Sequence, residues 1–286
     1  MKIFITGATG FVGRYLVGDL KEKNELIIPV RNVKKAEAIL GTYPTIKYIK
    51  FNENLYSLVK ETKPDVIINL LGILTENKEN TYEKVHVEYT KQLVNGAMEV
   101  GFIKFLQMSA LGADKNSKSR YAKTKAIAEE YVINSGLNYI IYRPSIILGR
   151  EQKLFSDLKK FSKIAPFFLA PKGKVQPVHI LDVKDAFIKG LDKDLKNKIY
   201  ELCGPKIISY KELFKFALKT VGIKKPVIEV PVSVFYILQP FFSLFPEPPI
   251  TKDQLYLLEK DNVCLKGNGG IKELLGVYRD PFRIFN

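Results

Sequence analysis

Three glycines at positions 7, 10 and 13 constrain this chain more than any other feature. They follow directly on a short apolar run, Lys2-Ile3-Phe4-Ile5, in the stretch Thr6-Gly7-Ala8-Thr9-Gly10-Phe11-Val12-Gly13. The apolar run reads as a buried strand, and the periodic residues behind the glycines read as a helix. A chain that turns from strand to helix in so few residues needs backbone without Cβ at the corner. Gly7 supplies a conformation that a side chain forbids. Gly10 lets the backbone approach a pyrophosphate, and Gly13 lets the helix pack close to the strand. The unpaired N–H groups and positive dipole end of that helix favour a phosphate anion. The spacing G-x-x-G-x-x-G is one residue wider at its start than the common dinucleotide pattern.

The alternation continues. Residues 3–5, 25–30, 46–51, 65–71, 104–108 and 138–142 read as strands, nearly uniform in Val, Ile, Leu and Phe where they are most apolar. Residues 11–23, 33–40, 55–62, 81–100 and 120–135 read as the helices between them. Continuous apolar strands separated by helices predict an α/β fold: a Rossmann-type, doubly wound parallel sheet with helices on both faces. Its site belongs at the carboxyl ends of the strands. Residues 1–150 form the predicted dinucleotide-binding domain. Residues 151–286 form a smaller lobe interleaved with the sheet, with helix at 151–163, sheet and helix pieces at 175–180, 182–191 and 199–203, and a helix at 209–221. Prolines at 226, 231, 240, 246, 248 and 249 make that lobe irregular, and a substrate pocket is expected beneath it.

With 286 residues and 46% hydrophobic content the chain is globular, not disordered. Its formal charge of 45 − 30 = +15 favours anionic partners. The lysines are spread along the chain, with no arginine-rich run and no nucleic-acid motif, so nucleic acid is not an expected partner. Cys203 and Cys264 have no metal-ligand spacing and only two histidines exist, which argues against a protein-built metal site. Nothing in two such cysteines demands an oxidising compartment. Four apolar residues before the glycine turn do not make a signal peptide, and no stretch reaches the roughly 18–20 apolar residues of a membrane span. The expected location is the cytosol or a membrane surface facing it.

Tyr121 and Lys125 form Y-x-x-x-K on a predicted helix, where residues four apart share a face. An ammonium beside a phenol favours the phenolate and lowers its pKa from about 10. Such a tyrosine exchanges a proton with an alcohol or carbonyl while hydride moves to or from a nicotinamide. Ser109 ends the fifth strand, where its hydroxyl can hold the substrate oxygen.

These residues together resemble an extended or atypical short-chain dehydrogenase/reductase of the epimerase/dehydratase type. The resemblance rests on the glycine stretch, Asn69-Leu70-Leu71-Gly72, Ser109, Tyr121 with Lys125, Tyr142-Arg143-Pro144-Ser145, Val178-His179-Ile180-Leu181-Asp182-Val183 and Tyr200-Glu201-Leu202-Cys203-Gly204-Pro205. It covers nearly the whole chain. It implies cofactor contacts at Thr6, Gly7, Thr9, Gly10, Phe11, Val12, Gly13, Asn52, Leu70, Leu71, Gly72, Met108, Tyr121, Lys125, Arg143, Pro144 and Ser145. Ser109-Ala110-Leu111-Gly112-Ala113 and Pro248-Pro249-Ile250-Thr251-Lys252-Asp253-Gln254-Leu255, with Asp261-Asn262-Val263, resemble the branch related to the 39-kDa-type accessory subunit of respiratory complex I. That likeness implies NADPH binding, and either a cofactor-bound structural subunit or a link to quinone metabolism. His86 stands in the segment where the superfamily often has Asn for its proton relay; a histidine packed beside the sheet is the plainer expectation. Nucleotide-sugar epimerisation or dehydration is a further alternative.

An acidic residue after the second strand would accept from the ribose hydroxyls of NAD. Here Arg31 follows Val30, with Lys34 and Lys35 behind it. A guanidinium suits a 2′-phosphate, so NADPH is preferred, with NAD as the alternative. Residues 232–245 carry no charge and are interrupted by proline, too short to span a bilayer and too broken for a regular helix. Burial in the lobe's own core, a membrane interface, a partner surface or a wall for a quinone-like substrate all fit them.

Overall fold

In the computed structural model, which describes residues 1–101, 103–245, 248–265 and 270–283, strand and helix alternate through the first half. The elements are β1 (Lys2–Thr6), α1 (Phe11–Leu20), β2 (Glu25–Val30), α2 (Val33–Leu40), β3 (Ile46–Lys50), α3 (Leu55–Thr62), β4 (Val66–Asn69), α4 (Tyr89–Val100), β5 (Lys104–Met108), α5 (Arg120–Ile133) and β6 (Asn138–Pro144). The second half is shorter-stranded: β7 (Ile147–Leu148), α6 (Lys153–Phe161), β8 (Phe168–Pro171), β9 (Lys174–Val175), β10 (Val178–His179), α7 (Ile180–Lys189) and β11 (Lys198–Leu202). There follow β12 (Ile208–Ser209), α8 (Tyr210–Thr220), β13 (Val227–Val230), α9 (Val232–Phe242), α10 (Lys252–Leu257) and α11 (Ile271–Leu275).

Seven strands form one parallel sheet in the order β11-β6-β5-β4-β1-β2-β3. Its winding reverses between β1 and β4, which opens a crevice at their carboxyl ends, where such sheets take ligands. Alternate side chains of each strand feed two cores. Ile3, Ile5, Leu26 and Ile28 pack under α1, α2 and α7, while Phe4, Ile27, Ile67 and Phe105 pack under α3, α4 and the end of α5. Each such fully buried side chain contributes about 1.5–3 kcal/mol. Lys47 and Lys50 are exposed on the edge strand β3, and lysines on an edge discourage pairing with another chain. A third core, including Leu148, Phe155, Phe168, Leu213 and Val227, holds the second half together.

Two expectations are corrected, and one cysteine pairing is added. Residues 81–100 are not one α-helix, because Glu83–Glu88 is π-helical before α4 begins. The wider turn lets three consecutive residues, Val85, His86 and Val87, all lie buried. Residues 232–242 do form a helix, α9, with Pro240 in its last turn, so the missing N–H and the ring's crowding of the carbonyl four residues back fall only on the helix end. Of α9 only Phe235 is buried, whereas Ile237 is 78% and Phe241 60% exposed, so the lobe's own core does not take up this segment. Finally, Cys203 and Cys264 are joined in a disulfide, 61 residues apart in sequence. Spacing could not reveal the pair. Asn262 N donates to the Lys174 carbonyl at 2.9 Å, and Gln176 N to the Asn262 carbonyl at 3.0 Å, which lays the segment beside β9.

Among the described residues, no helix is long and apolar enough to cross a membrane.

Candidate functional site

The glycine turn has the geometry its spacing implies. Gly7 has φ +69°, and a Cβ there would lie 2.9 Å from the Leu70 carbonyl oxygen. Gly10 N donates to the Gly7 carbonyl at 2.9 Å. Gly10 caps α1 without a side chain, so the first-turn amides face the crevice unblocked. At Gly13 a Cβ would stand 2.4 Å from the Ala8 carbonyl oxygen. Behind the turn, Thr6 Oγ1 donates to Asn69 Oδ1 at 2.6 Å, and Asn69 Nδ2 donates to Thr90 Oγ1 at 3.1 Å and Gln107 Oε1 at 2.9 Å. This buried network locks the ends of β1, β4 and β5 together. Thr9 offers its carbonyl to Arg14 Nε at 2.9 Å. Phe11 lies against Gly149, where a Cβ would be 2.8 Å from its ring, and Val12 is buried. A cradle that a Cβ would fill, at a helix N-terminus, fits a dinucleotide's pyrophosphate.

Across the crevice, Lys125 Nζ donates to the Leu71 and Met108 carbonyls, both at 3.2 Å. It thereby bridges the loop after β4 to the end of β5. Gly72 is exposed, and a Cβ there would sit 3.1 Å from Nζ. Ser109, next after Met108, has a buried hydroxyl oxygen with no hydrogen-bond partner among the described residues. Tyr121 is half-buried one turn before Lys125. The expectation that Lys125 lowers its pKa is not met: burial pushes the phenol up, to about 12. Burial also pushes Lys125 down, to about 8, against the pull of Glu129. Near neutral pH Tyr121 is therefore a neutral phenol, and Lys125, one turn along the helix, is still largely an ammonium held on two backbone carbonyls.

Two groups that the sequence left without a defined role hold this helix. Asp253, from α10, accepts from Arg120 N at 2.6 Å, Tyr121 N at 3.2 Å and Ser119 Oγ at 2.8 Å. A carboxylate at a helix N-terminus satisfies its free amides and complements its dipole. Only the fold brings it there, from 133 residues away. His86 lies edge-on to the Tyr121 ring at 5.3 Å and stacks on Tyr82 at 5.4 Å. Its Nε2 accepts from Ile73 N at 3.2 Å, which puts the ring proton on Nδ1, 2.9 Å from Thr124 Oγ1. It is a packed histidine, as expected, but it packs on the reactive tyrosine.

Burial, then the Lys125 charge, hold the His86 pKa down, to about 2. The unfolded chain takes up a proton near pH 6.5 and the native state does not, so His86 lowers stability as pH falls below 6.5. His86→Phe keeps the ring packing but orphans Ile73 N–H, an expected loss of about 1–3 kcal/mol at pH 7. That loss should shrink by about 2 kcal/mol on acidification to pH 5, because only the wild type bears the protonation cost. Urea unfolding of both proteins at the two pH values tests this.

The other expected contacts divide. Arg31 is exposed at the end of β2, its guanidinium bonded to Asn80 Oδ1. Asn52 is exposed after β3 and caps only its own loop, through Asn54 N at 3.3 Å. Leu70 and Leu71 line the crevice floor between Gly7 and Lys125. Arg143 is taken up by Glu129, with Nε donating to Oε1 at 2.9 Å, an ion pair that fastens α5 to β6. Pro144 gives its carbonyl to Leu111 N at 3.0 Å. Ser145 Oγ donates to Asn262 Oδ1 at 2.6 Å, so it secures the disulfide-bearing segment.

This fold and crevice agree with what the chain is similar to. The sequence model of the NAD dependent epimerase/dehydratase family matches residues 3–203. The chain belongs to that family. It is 32% identical over 221 residues to the mitochondrial NADH dehydrogenase [ubiquinone] 1 alpha subcomplex subunit 9 of Arabidopsis thaliana, covering 73% of this chain and 55% of that protein. The Mus musculus protein of the same name is 26% identical over 98% of this chain and 77% of its own length. Among solved structures, the UDP-glucuronic acid 4-epimerase of Bacillus cereus, in complex with UDP-glucuronic acid and NAD, superposes with a TM-score of 0.66 at 18% identity, covering 97% of this chain and 100% of that one. At that identity the likeness concerns the fold.

Proposed function

We propose that this protein binds NADPH along the glycine turn and reduces a carbonyl compound, a small or quinone-like molecule. The observation that supports this most is the orphaned Ser109 hydroxyl, one residue beyond the carbonyl that receives Lys125. A buried polar group without a partner costs about 1–3 kcal/mol, and a substrate oxygen would relieve it. The dinucleotide, when bound, supplies hydride. Tyr121 gives its phenolic proton to the substrate oxygen, Ser109 holds that oxygen in line, and the Lys125 ammonium stabilises the phenolate left behind.

The preference for NADPH rests on Arg31. No carboxylate stands at the end of β2 to receive ribose hydroxyls, and the guanidinium, steadied by Asn80, retains N–H groups for a 2′-phosphate. Arg31→Ala is expected to weaken NADPH by about 10- to 100-fold, the worth of hydrogen bonds to a charged group, and to leave NADH unchanged. Mass spectrometry of small molecules released from the purified protein, followed by NADPH and NADH titrations of both proteins, tests the assignment. Affinity for neither dinucleotide overturns it; an Arg31→Ala protein that still prefers NADPH overturns the role of Arg31.

A second reading is a cofactor-bound subunit of a respiratory NADH:quinone oxidoreductase, held peripherally on the inner face of the cytoplasmic membrane. There NADPH would stabilise the fold by mass action. The exposed apolar residues of α9 favour it, as do the names of the Arabidopsis and mouse relatives. The net charge of +15 would assist on anionic lipid. Failure to co-sediment with anionic vesicles at low salt would remove the membrane from this reading.

A further inference from the structure

A cavity of ≈ 820 Å³ opens between the second turn of α1, the start of α7 and the C-terminal segment. It lies over the sheet face that α1 and α7 cover, whereas Tyr121 rides on α5, against the other face. Guanidinium groups of Arg14, Arg150, Arg279 and Arg283 line it, together with the imidazole of His179. Of its two lining carboxylates, Glu151 accepts from Tyr15 Oη on the same wall at 2.8 Å, and Asp280 pairs with Lys206 at 3.4 Å; the lining guanidinium groups outnumber them two to one. Arg279 is committed to Asp182 at 2.6 Å and Asp185 at 2.7 Å. Among the described residues, Arg14 and Arg283 have no carboxylate at ion-pair distance; Arg14 spends only its Nε, on the Thr9 carbonyl.

His179 adds an oriented donor. It is 6% exposed, and its Nδ1 accepts from Leu181 N at 3.1 Å as the cap of α7. The ring proton is therefore on Nε2, which has no protein partner among the described residues, and the ring borders the cavity. Burial, with Arg279 nearby, lowers its pKa and keeps it neutral, against the opposing pull of Asp182, Asp185 and Asp280. Guanidinium forks, a fixed imidazole N–H and the N-terminus of a ten-residue helix are the donors that bind phosphoryl oxygens. Tyr15, edge-on to Phe11 at 6.2 Å, gives the wall an aromatic side.

We propose that this cavity is a second anion site, for a phosphate- or pyrophosphate-bearing molecule, which borders the glycine turn at Arg14 and Gly149 and draws its other donors from α7 and the C-terminal segment. The same phosphoryl chemistry could arrive as a free metabolite or as a lipid headgroup. The test is calorimetric titration of the full chain, held in excess NADPH, with inorganic pyrophosphate at low salt. One equivalent is expected to bind. His179→Asn/Arg283→Gln is expected to weaken it about 10- to 100-fold, as loss of charge-assisted donors does, while Asn still caps α7. Lys193→Gln removes one charge at the other end of α7 and should change nothing; unchanged melting temperatures show that both proteins fold. If NADPH itself fails to bind, the titration is run without it, and the double variant still isolates this cavity, because neither residue lies in the glycine turn. Co-sedimentation with phosphatidylglycerol vesicles, displaced by pyrophosphate and lost in the double variant, identifies a lipid headgroup; binding of pyrophosphate without sedimentation identifies a soluble ligand. Absence of binding, full affinity in the double variant, or an equal loss in Lys193→Gln overturns the proposal.

Discussion

Tyr121→Phe is expected to lower carbonyl reduction by about 10²- to 10⁴-fold, the usual worth of a positioned general acid, while leaving NADPH affinity and stability unchanged. Phenylalanine keeps the ring that meets Tyr82 at 5.8 Å and His86 at 5.3 Å, and no protein group hydrogen-bonds the Tyr121 hydroxyl among the described residues. The oxygen can therefore be removed without disturbing its surroundings. In the wild type, reduction should also decline above about pH 8, where Lys125 loses its proton; the phenol, at about 12, stays protonated through that range. Initial rates with NADPH over a panel of quinones and small carbonyls, for both proteins between pH 6 and 9, provide the measurement. Turnover that survives in Tyr121→Phe would end the catalytic reading. NADPH bound tightly with no turnover by either protein would leave the cofactor-bound subunit standing.

The second large effect concerns the glycine turn. Gly13→Ala would set a methyl group 2.4 Å from the Ala8 carbonyl oxygen and 2.5 Å from that of Gly7. Both obstacles are backbone, so neither can swing aside, and α1 must move off the sheet or the turn must open. A stability loss of about 3 kcal/mol and a weakening of dinucleotide affinity by at least about 100-fold are expected. Gly18, on the same helix, meets nothing within 4 Å. Gly18→Ala should stabilise by about 0.5–1 kcal/mol, through helix propensity alone. Urea unfolding and NADPH titration of the two variants side by side separate close approach from mere glycine content. Equal behaviour would mean that Gly13 is not a packing glycine.

The parts of this site visible in the sequence are those set by local stereochemistry. Gly7, Gly10 and Gly13 announce a turn because no other residue permits it, and Tyr121 and Lys125 fall on one helix face by period. The parts that stayed hidden are set by tertiary contact. The phenol's pKa depends on burial, which no spacing of Tyr to Lys reports, and so the expected lowering by Lys125 gave way to a rise. Cys203 meets Cys264 only because the segment around Asn262 is laid along β9. Arg143 looked like a cofactor contact in its motif, yet its charge is used on Glu129, one helix turn beyond Lys125. Residues 232–245 read as too broken for a regular helix because of proline, yet the residues ahead of Pro240 wind into two turns before its ring intervenes. The short strands β7 to β10 and β12 to β13 carry too few residues for any periodicity to show.

The contact between Asp253 and the first turn of α5 has a consequence for how the polypeptide matures. During synthesis the helix bearing Tyr121 and Lys125 leaves the ribosome long before its cap exists, since the carboxylate that closes its amides is made 133 residues after Arg120. A nascent chain released early could complete every strand of the main sheet, the last of which ends at Leu202, and still present α5 with bare N–H groups. The final fifth of the chain thus acts as a clasp: its arrival finishes the reactive helix, and a nick or premature stop before Asp253 damages the site from a distance.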